Sequence, residues 1–301
     1  MRIGGLALAG LGHGAAWSRS LSAQGRFDQA GLRHGLKQIE AQSQGRLGVT
    51  LLDTGSGQRA GWRQDERFPM CSTFKAVLSA TVLGHAARGA LSLDQRVPVR
   101  AGDLLAHAPV TRRHAGKDMT VRDLCHATMT TSDNTAANLL LGVLGGPPAV
   151  TAFLRAHGDP VTRNDRTEPE MNRFAPGDAR DTTSPAAMAD SLQRFVLGDG
   201  PAPAARPPPP DWMIDNQTGD ACLRAGLGPR WRVGDKTGSN GVDTRNDIAV
   251  LWPLDGGAPW VLTAYLQGAG GDSAQRDAVL ARVGALAERR IGWARPPHRP
   301  P

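Results

Sequence analysis

A chain of 301 residues, 40% hydrophobic and 21% charged, is neither disordered nor a small disulfide-stapled module. Its formal charge of +7 comes from scattered arginines, and its aromatic content of 5% offers little for base stacking, so no nucleic-acid partner is expected. Cys71, Cys125 and Cys222 are an odd and widely spaced set, and no His-Glu-x-x-His run is present; no zinc site, catalytic metal or cofactor is expected.

Residues 1–23 hold Arg2, an apolar run from Ile3 to Leu11 and a small-residue cleavage site at Ser22-Ala23, which reads as a weak signal peptide. Nothing else approaches the ~20 apolar residues that span a bilayer. Residues 28–45 read as a helix with Leu32, Leu36 and Ile39 on one stripe. Leu47–Leu52 and Gln58–Arg63 read as an antiparallel hairpin.

The middle of the chain is helical. Helices are expected over residues 73–87, Met119–Met129 with Thr120 as N-cap, Asp133–Leu144, Pro147–His157 and Ser184–Leu197. Between the last two lies a long irregular stretch, residues 162–183. Structureless loops of that length are uncommon in compact domains and usually functional. Pro201–Pro210 cannot be mid-helix and reads as a surface connection ahead of a short helix at Asp211-Trp212-Met213.

Strands return at Trp231–Thr237, Asp247–Trp252 and Trp260–Gln267, and Ser273–Trp293 closes the chain as a helix. Strands at both ends and helices between them predict an α+β fold with one antiparallel sheet built from both ends of the chain. Residues 24–68 and 214–295 would form the α/β domain, an α/β/α sandwich. Residues 69–213 would be an inserted all-helical domain, with the site in the crevice between the two.

Four lysines occur, Lys37, Lys75, Lys117 and Lys236, in a chain that otherwise uses arginine. Lys75 stands three residues after Ser72 at a helix start, about 60° away on the same face. There a hydroxyl lies beside an amine that can lose its proton, and the helix N-terminus favours negative charge. The pattern alone is common, and an ordinary helix start reads the same. Ser132-Asp133-Asn134 is either a helix cap or a second hydroxyl with an amide for a substrate carbonyl. Lys236-Thr237-Gly238-Ser239 is either a strand end or an edge able to pair with an extended substrate, with Gly238 permitting close approach. Glu168 and Asn172, in the long loop, suit holding a water, and Arg166 with Asp181 suits clamping the loop neck.

Ser-x-x-Lys at Ser72, Ser-Asp-Asn at Ser132 and Lys-Thr-Gly at Lys236 follow in order, 60 and 104 residues apart. With Glu168-Pro169-Glu170-Met171-Asn172 between the second and third, the chain resembles the class A serine β-lactamases over roughly residues 28–292. The resemblance extends to Pro109-Val110-Thr111, Asp181–Pro185, Asp211-Trp212-Met213 and Asn246–Pro253. It implies the β-lactamase/penicillin-binding transpeptidase-like fold and a monomeric, exported (periplasmic or secreted) hydrolase that opens small-molecule β-lactams and confers antibiotic resistance.

By that resemblance Ser72 attacks the β-lactam carbonyl, and the N–H groups of Ser72 and Ser239 form the oxyanion hole. Lys75, or Glu168 through a water, is the acylation base, and Glu168 is the deacylation base. Asn172 positions the water, and Ser132 passes a proton to the leaving nitrogen. Lys236, Thr237 and Arg245 bind the substrate carboxylate, while Asn134 and the backbone at Gly238-Ser239 bracket its side-chain amide. A cis peptide at Glu168–Pro169 is also implied. His107 stands where the family usually has an aromatic gatekeeper. Asn240 follows Ser239 in place of glycine, Cys71 lacks the partner of a stapled site, and Ser79 stands opposite Cys125 where a disulfide partner would be. Two alternatives share the three motifs: a penicillin-binding D,D-peptidase and a non-enzymatic β-lactam sensor domain. Glu168 with Asn172 argues against the peptidase, and the sensor would be expected to carry a membrane-spanning segment, which the sequence does not offer.

Overall fold

The computed structural model describes residues 27–198 and 211–291. The leader reading for residues 1–23, the Pro201–Pro210 connection and the last residues of the outer domain lie outside the described residues. The first helix, α1 (Gln29–Ser43), starts where the Asp28 carboxylate accepts from the Gly31 N–H, and it buries Leu32, Leu36 and Ile39. The hairpin β1 (Arg46–Asp53) and β2 (Arg59–Trp62) turns at Asp53, whose Oδ1 accepts from the Gly55 N–H at 2.9 Å.

A two-residue strand, β3 (Phe68–Pro69), leads through a 3₁₀ turn at Cys71–Thr73 into α2 (Phe74–Ala87). The helical part continues with β4 (Arg96–Pro98), β5 (Asp118–Thr120), α3 (Val121–Thr130), α4 (Asn134–Val143) and α5 (Pro147–Ala156). After the long loop come β6 (Thr182–Thr183), α6 (Pro185–Leu197) and α7 (Asp211–Ile214). Thr120, Asp133 and Ser184 each cap their helix through the side chain, and Pro185 occupies the first turn of α6, where its missing N–H costs nothing.

The chain closes with β7 (Trp231–Ser239), β8 (Arg245–Pro253), β9 (Trp260–Gln267) and α8 (Ser273–Arg290). A capping box of Asp272 and Gln275 opens α8. The helix stops at Arg290 rather than Trp293, because Ile291 takes extended angles (φ −75°, ψ 101°).

Strand order in the five-stranded sheet is β2-β1-β9-β8-β7, antiparallel throughout. The last strand, β9, therefore lies between the first and the penultimate, and β7 is an edge. Alternation assigns the two faces. Val49, Leu51, Ala249, Leu251, Leu262 and Leu266 pack under α1 and α8. Leu52, Ile248, Val250, Val261 and Tyr265 join the core of the helical part. Two small ladders, β3–β6 and β4–β5, tie the helical part together and are too short to register in any periodicity. Among the described residues no single helix is long and apolar enough to cross a membrane.

Candidate active site

Ser72 lies in the 3₁₀ turn just ahead of α2, not in the α-helix itself. The preceding Cys71 has φ +46°, a left-handed conformation that a side chain adopts only when its surroundings enforce it. Those surroundings are visible. Asn246 Nδ2 on β8 donates to the carbonyls of Pro69 and Met70 at 2.9 and 3.0 Å. Thr73 Oγ1 donates to Met70 O at 2.8 Å, and the Met70 N–H donates to Asp181 O at 3.0 Å. Sheet, 3₁₀ turn and loop neck thus all fix the peptide that carries Ser72.

Lys75 Nζ is fully buried and lies 2.9 Å from Ser72 Oγ, 2.8 Å from Ser132 O, 3.2 Å from Ser132 Oγ and 2.5 Å from Asn134 Oδ1. Glu168 Oε1 stands 3.4 Å from the same nitrogen. Burial pulls the Lys75 ammonium below the ordinary lysine value, while Glu168 opposes that shift. On the other side of Ser132, Lys236 Nζ donates to Ser132 Oγ at 3.1 Å and to Thr237 O at 2.8 Å. Burial, then the nearby charge of Lys75, lowers Lys236 to about 7. Ser132 itself has φ +58°. The next residue, Asp133, is the hub that holds it there. Its buried carboxylate accepts from the N–H groups of Val110, Thr111 and Ala136, each at 2.9 Å. The same residue is thus the helix cap and the anchor of the 104–111 loop.

Glu168 is carried on the long loop, next to a cis Glu168–Pro169 peptide. Asn172 Nδ2 donates to Glu168 Oε2 at 2.6 Å. One residue not singled out from the sequence, Asn138, grips the backbone of Glu168 in both directions: its Nδ2 donates to Glu168 O at 2.8 Å and its Oδ1 accepts from Glu168 N at 2.9 Å. Asn138 is one turn beyond Asn134 on α4, so a polar side chain at i+4 in an apolar helix was the available signal. The neck is closed by Arg166 Nε and Asp181 Oδ2 at 2.6 Å. Asp181 is buried, and its Oδ1 also accepts from Asn164 Nδ2 and from the N–H groups of Asp165 and Arg166. This is no exposed surface pair.

The edge strand β7 runs past Ser72. A Cβ on Gly238 would stand 2.7 Å from Met70 O and 3.2 Å from Ser72 N, so only glycine allows this approach. It brings the Ser239 backbone alongside the 3₁₀ turn. Ser239 Oγ and the Asn240 side chain fold into the following turn, accepting from Gly241 N and from the N–H groups of Val242, Asp243 and Thr244. Arg245 is held from behind: Nε donates to Asp277 Oδ1 at 2.5 Å, and Nη2 donates to Thr218 O at 3.3 Å. His107 is exposed, with Nε2 3.0 Å from Thr131 O, while its carbonyl accepts from the Asn134 N–H at 3.0 Å. All three cysteines are free and buried.

The family model described as the β-lactamase enzyme family matches residues 31–291. The chain belongs to that family. It is 70% identical to β-lactamase L2 of Stenotrophomonas maltophilia over 84% of each chain. It is 44% identical to β-lactamase OXY-2 of Klebsiella oxytoca, over 83% of this chain and 86% of that one. Among solved structures, L2 complexed with relebactam superposes with a TM-score of 0.83 at 68% identity, covering 87% of this chain and 100% of that one. A β-lactamase from Xanthomonas campestris superposes with a TM-score of 0.85 at 56% identity, covering 87% and 97%. As in these β-lactamases, the sheet and the helical part are one fold, mixed α and β.

Proposed function

We propose that the chain is a class A serine β-lactamase that hydrolyses the β-lactam amide through an acyl-enzyme. The observation that carries this is the single amine shared by nucleophile and carboxylate. Lys75 Nζ touches Ser72 Oγ at 2.9 Å and faces Glu168 Oε1 at 3.4 Å. Ser72 Oγ bonds to the β-lactam carbonyl carbon as its proton passes to the amine. The developing oxyanion lies between the N–H groups of Ser72 and Ser239. As the tetrahedral carbon collapses, the C–N bond breaks and Ser132 Oγ–H protonates the leaving nitrogen. Lys75 and Lys236 flank that hydroxyl and replace its proton.

Deacylation belongs to Glu168. Apart from Lys75 Nζ at 3.4 Å from Oε1, neither Glu168 Oε1 nor Asn172 Oδ1 has a protein donor, and such a pair of buried acceptors orients a water. Glu168 takes a proton from that water, hydroxide adds to the ester carbon, and Ser72 leaves with a proton. The product is the ring-opened acid, and in a bacterium the consequence is antibiotic resistance. Lys236, Thr237 and Arg245 gather the substrate carboxylate, while Asn134 and the β7 edge hold its amide side chain. Export and a monomeric state belong to the same reading, since β-lactams act on peptidoglycan synthesis outside the cytoplasm.

Mass spectrometry after mixing with benzylpenicillin tests the assignment. Wild type should show a transient adduct, and Glu168→Ala a long-lived one, with deacylation slowed by about 10²–10⁴. A stable adduct on wild type would overturn the lactamase reading and favour a D,D-peptidase or a sensor.

A further inference from the structure

Behind Thr237, on its face of β7 and β8, lies a chain of polar groups that the mechanism above does not use. Asp235 and Asp247 are diagonal neighbours there, because Asp247 pairs with Thr237 and Asp235 with Ala249 in the β7–β8 register. Both carboxyls are fully buried. Asp235 accepts from Arg224 and, at 2.8 Å, from Asn216 Nδ2. A carboxylate only accepts, so the Asn216 amide is fixed with its oxygen turned the other way. That oxygen accepts from Thr218 Oγ1 at 2.8 Å and from the Thr218 N–H at 3.2 Å. Thr218 Oγ1 in turn is hydrogen-bonded to Thr237 Oγ1.

We propose that Thr218 is a positioning residue for substrate binding, held by Asn216 and the Asp235–Asp247 pair so that Thr237 Oγ1 can turn its proton to the substrate carboxylate. The inference rests on the reading of Thr237 as a carboxylate ligand. Thr218 owns one hydroxyl proton and has two acceptors for it. In the free protein it donates to Asn216, and Thr237 donates to Thr218. When a substrate carboxylate claims the Thr237 proton, Thr218 turns its own proton to the vacated lone pair of Thr237. Asn216 Oδ1 keeps the Thr218 N–H. No buried group loses its partner in either arrangement, so the switch avoids the cost of an unsatisfied polar atom.

The carboxyl pair makes the far end of this chain rigid. Two adjacent buried carboxyls do not both ionise. Asp247 Oδ2 accepts from the Leu223 N–H at 3.1 Å, while Oδ1 has no donor. Burial raises both carboxyls, but Asp235 has the Arg224 guanidinium and the Asn216 amide as donors while Asp247 has one backbone N–H, so the shared proton is placed on Asp247 and Asp235 stays the acceptor.

Steady-state kinetics of Thr218→Val, Thr218→Ala and Thr218→Ser on benzylpenicillin and on its methyl ester, which masks the carboxylate, decide the matter. Thr218→Val and Thr218→Ala should raise KM for benzylpenicillin about tenfold at nearly unchanged kcat, the signature of lost uniform binding. Thr218→Ser should restore it. The ester should be indifferent to all three. In a Thr237→Val background, Thr218→Val should add nothing, because the hydroxyl reaches substrate through Thr237 Oγ1, and the Thr218 carbonyl that Arg245 touches is unchanged by the substitution. An unchanged KM in Thr218→Val, an equal rise for the ester, or additive losses in the double variant would overturn the proposal. Wild type that fails to turn over benzylpenicillin would instead sink the lactamase reading beneath it.

Discussion

Lys236 is an amine whose burial works against its charge, and that has two consequences of opposite sign. Its folded-state value of about 7 lies below the ordinary 10.5. Between those values the unfolded chain binds more protons, so the Lys236 contribution to stability improves as pH rises through that window. Recognition of an anionic substrate runs the other way. The free-enzyme profile of kcat/KM should fall above pH ~7 as the ammonium is lost. Lys236→Arg should move that fall to higher pH, since guanidinium stays charged. A limb that Lys236→Arg leaves in place would assign it to another group. Gly238→Ala is the steric counterpart. Its methyl would press on Met70 O and the Ser72 N–H. Displacing one oxyanion donor should cost about 10²–10³ in kcat, with the circular dichroism spectrum retained. Asp133→Ala would strand the buried N–H donors of Thr111 and Ala136, at roughly 1–3 kcal/mol each, and the half-buried one of Val110. A loss of at least about 3 kcal/mol in urea unfolding is expected.

Among the elements, the 162–183 loop is the one whose geometry, on the proposed mechanism, decides whether capture is temporary. Three of its ties bear on the site: the Arg166–Asp181 neck, Asn138 on Glu168, and Asp181 O on the Met70 N–H two residues before Ser72. Arg166→Ala leaves Asp181 three other donors, so the fold should survive while Glu168 drifts. A misplacement of about 1 Å costs about 10²-fold in a positioned reaction. Stopped-flow kinetics should therefore show acylation nearly intact and deacylation slowed by at least about tenfold. Equal loss in both steps would mean that the neck serves the fold and not the carboxylate. The side chains that the structure brings together around Ser72 were legible because their types and order follow one chemistry: Ser72, Lys75, Ser132, Glu168 and Lys236 are named by motif alone. The residues that hold them were not. Asn138, Asn246 and the Asn216–Thr218 pair act on groups that are distant in sequence, and no periodicity points to such contacts. Asp133 was legible only as a cap, the local half of what it does.

At the scale of the molecule, strands from both ends of the chain and helices between them predicted the mixed fold, and alternation gave the two faces of each strand. Neighbour order was not available, because a period of two says which side a residue faces and not which strand lies beside it. Only the structure places β9 between β1 and β8. With the central strand supplied by the C-terminal end, and one apolar core joining sheet and helices, the described parts should unfold together. Tryptophan fluorescence and far-ultraviolet ellipticity should then trace one urea transition; separate midpoints would show independent units. The scarcity of lysine has a practical corollary. Of four lysines, Lys75 and Lys236 are sealed inside, while Lys37 on α1 and Lys117 beside β5 are exposed. Lysine-directed cross-linkers or activated resins would therefore grip the described protein at two known points, neither carrying a reacting group, and an immobilised preparation should keep its crevice open to solution.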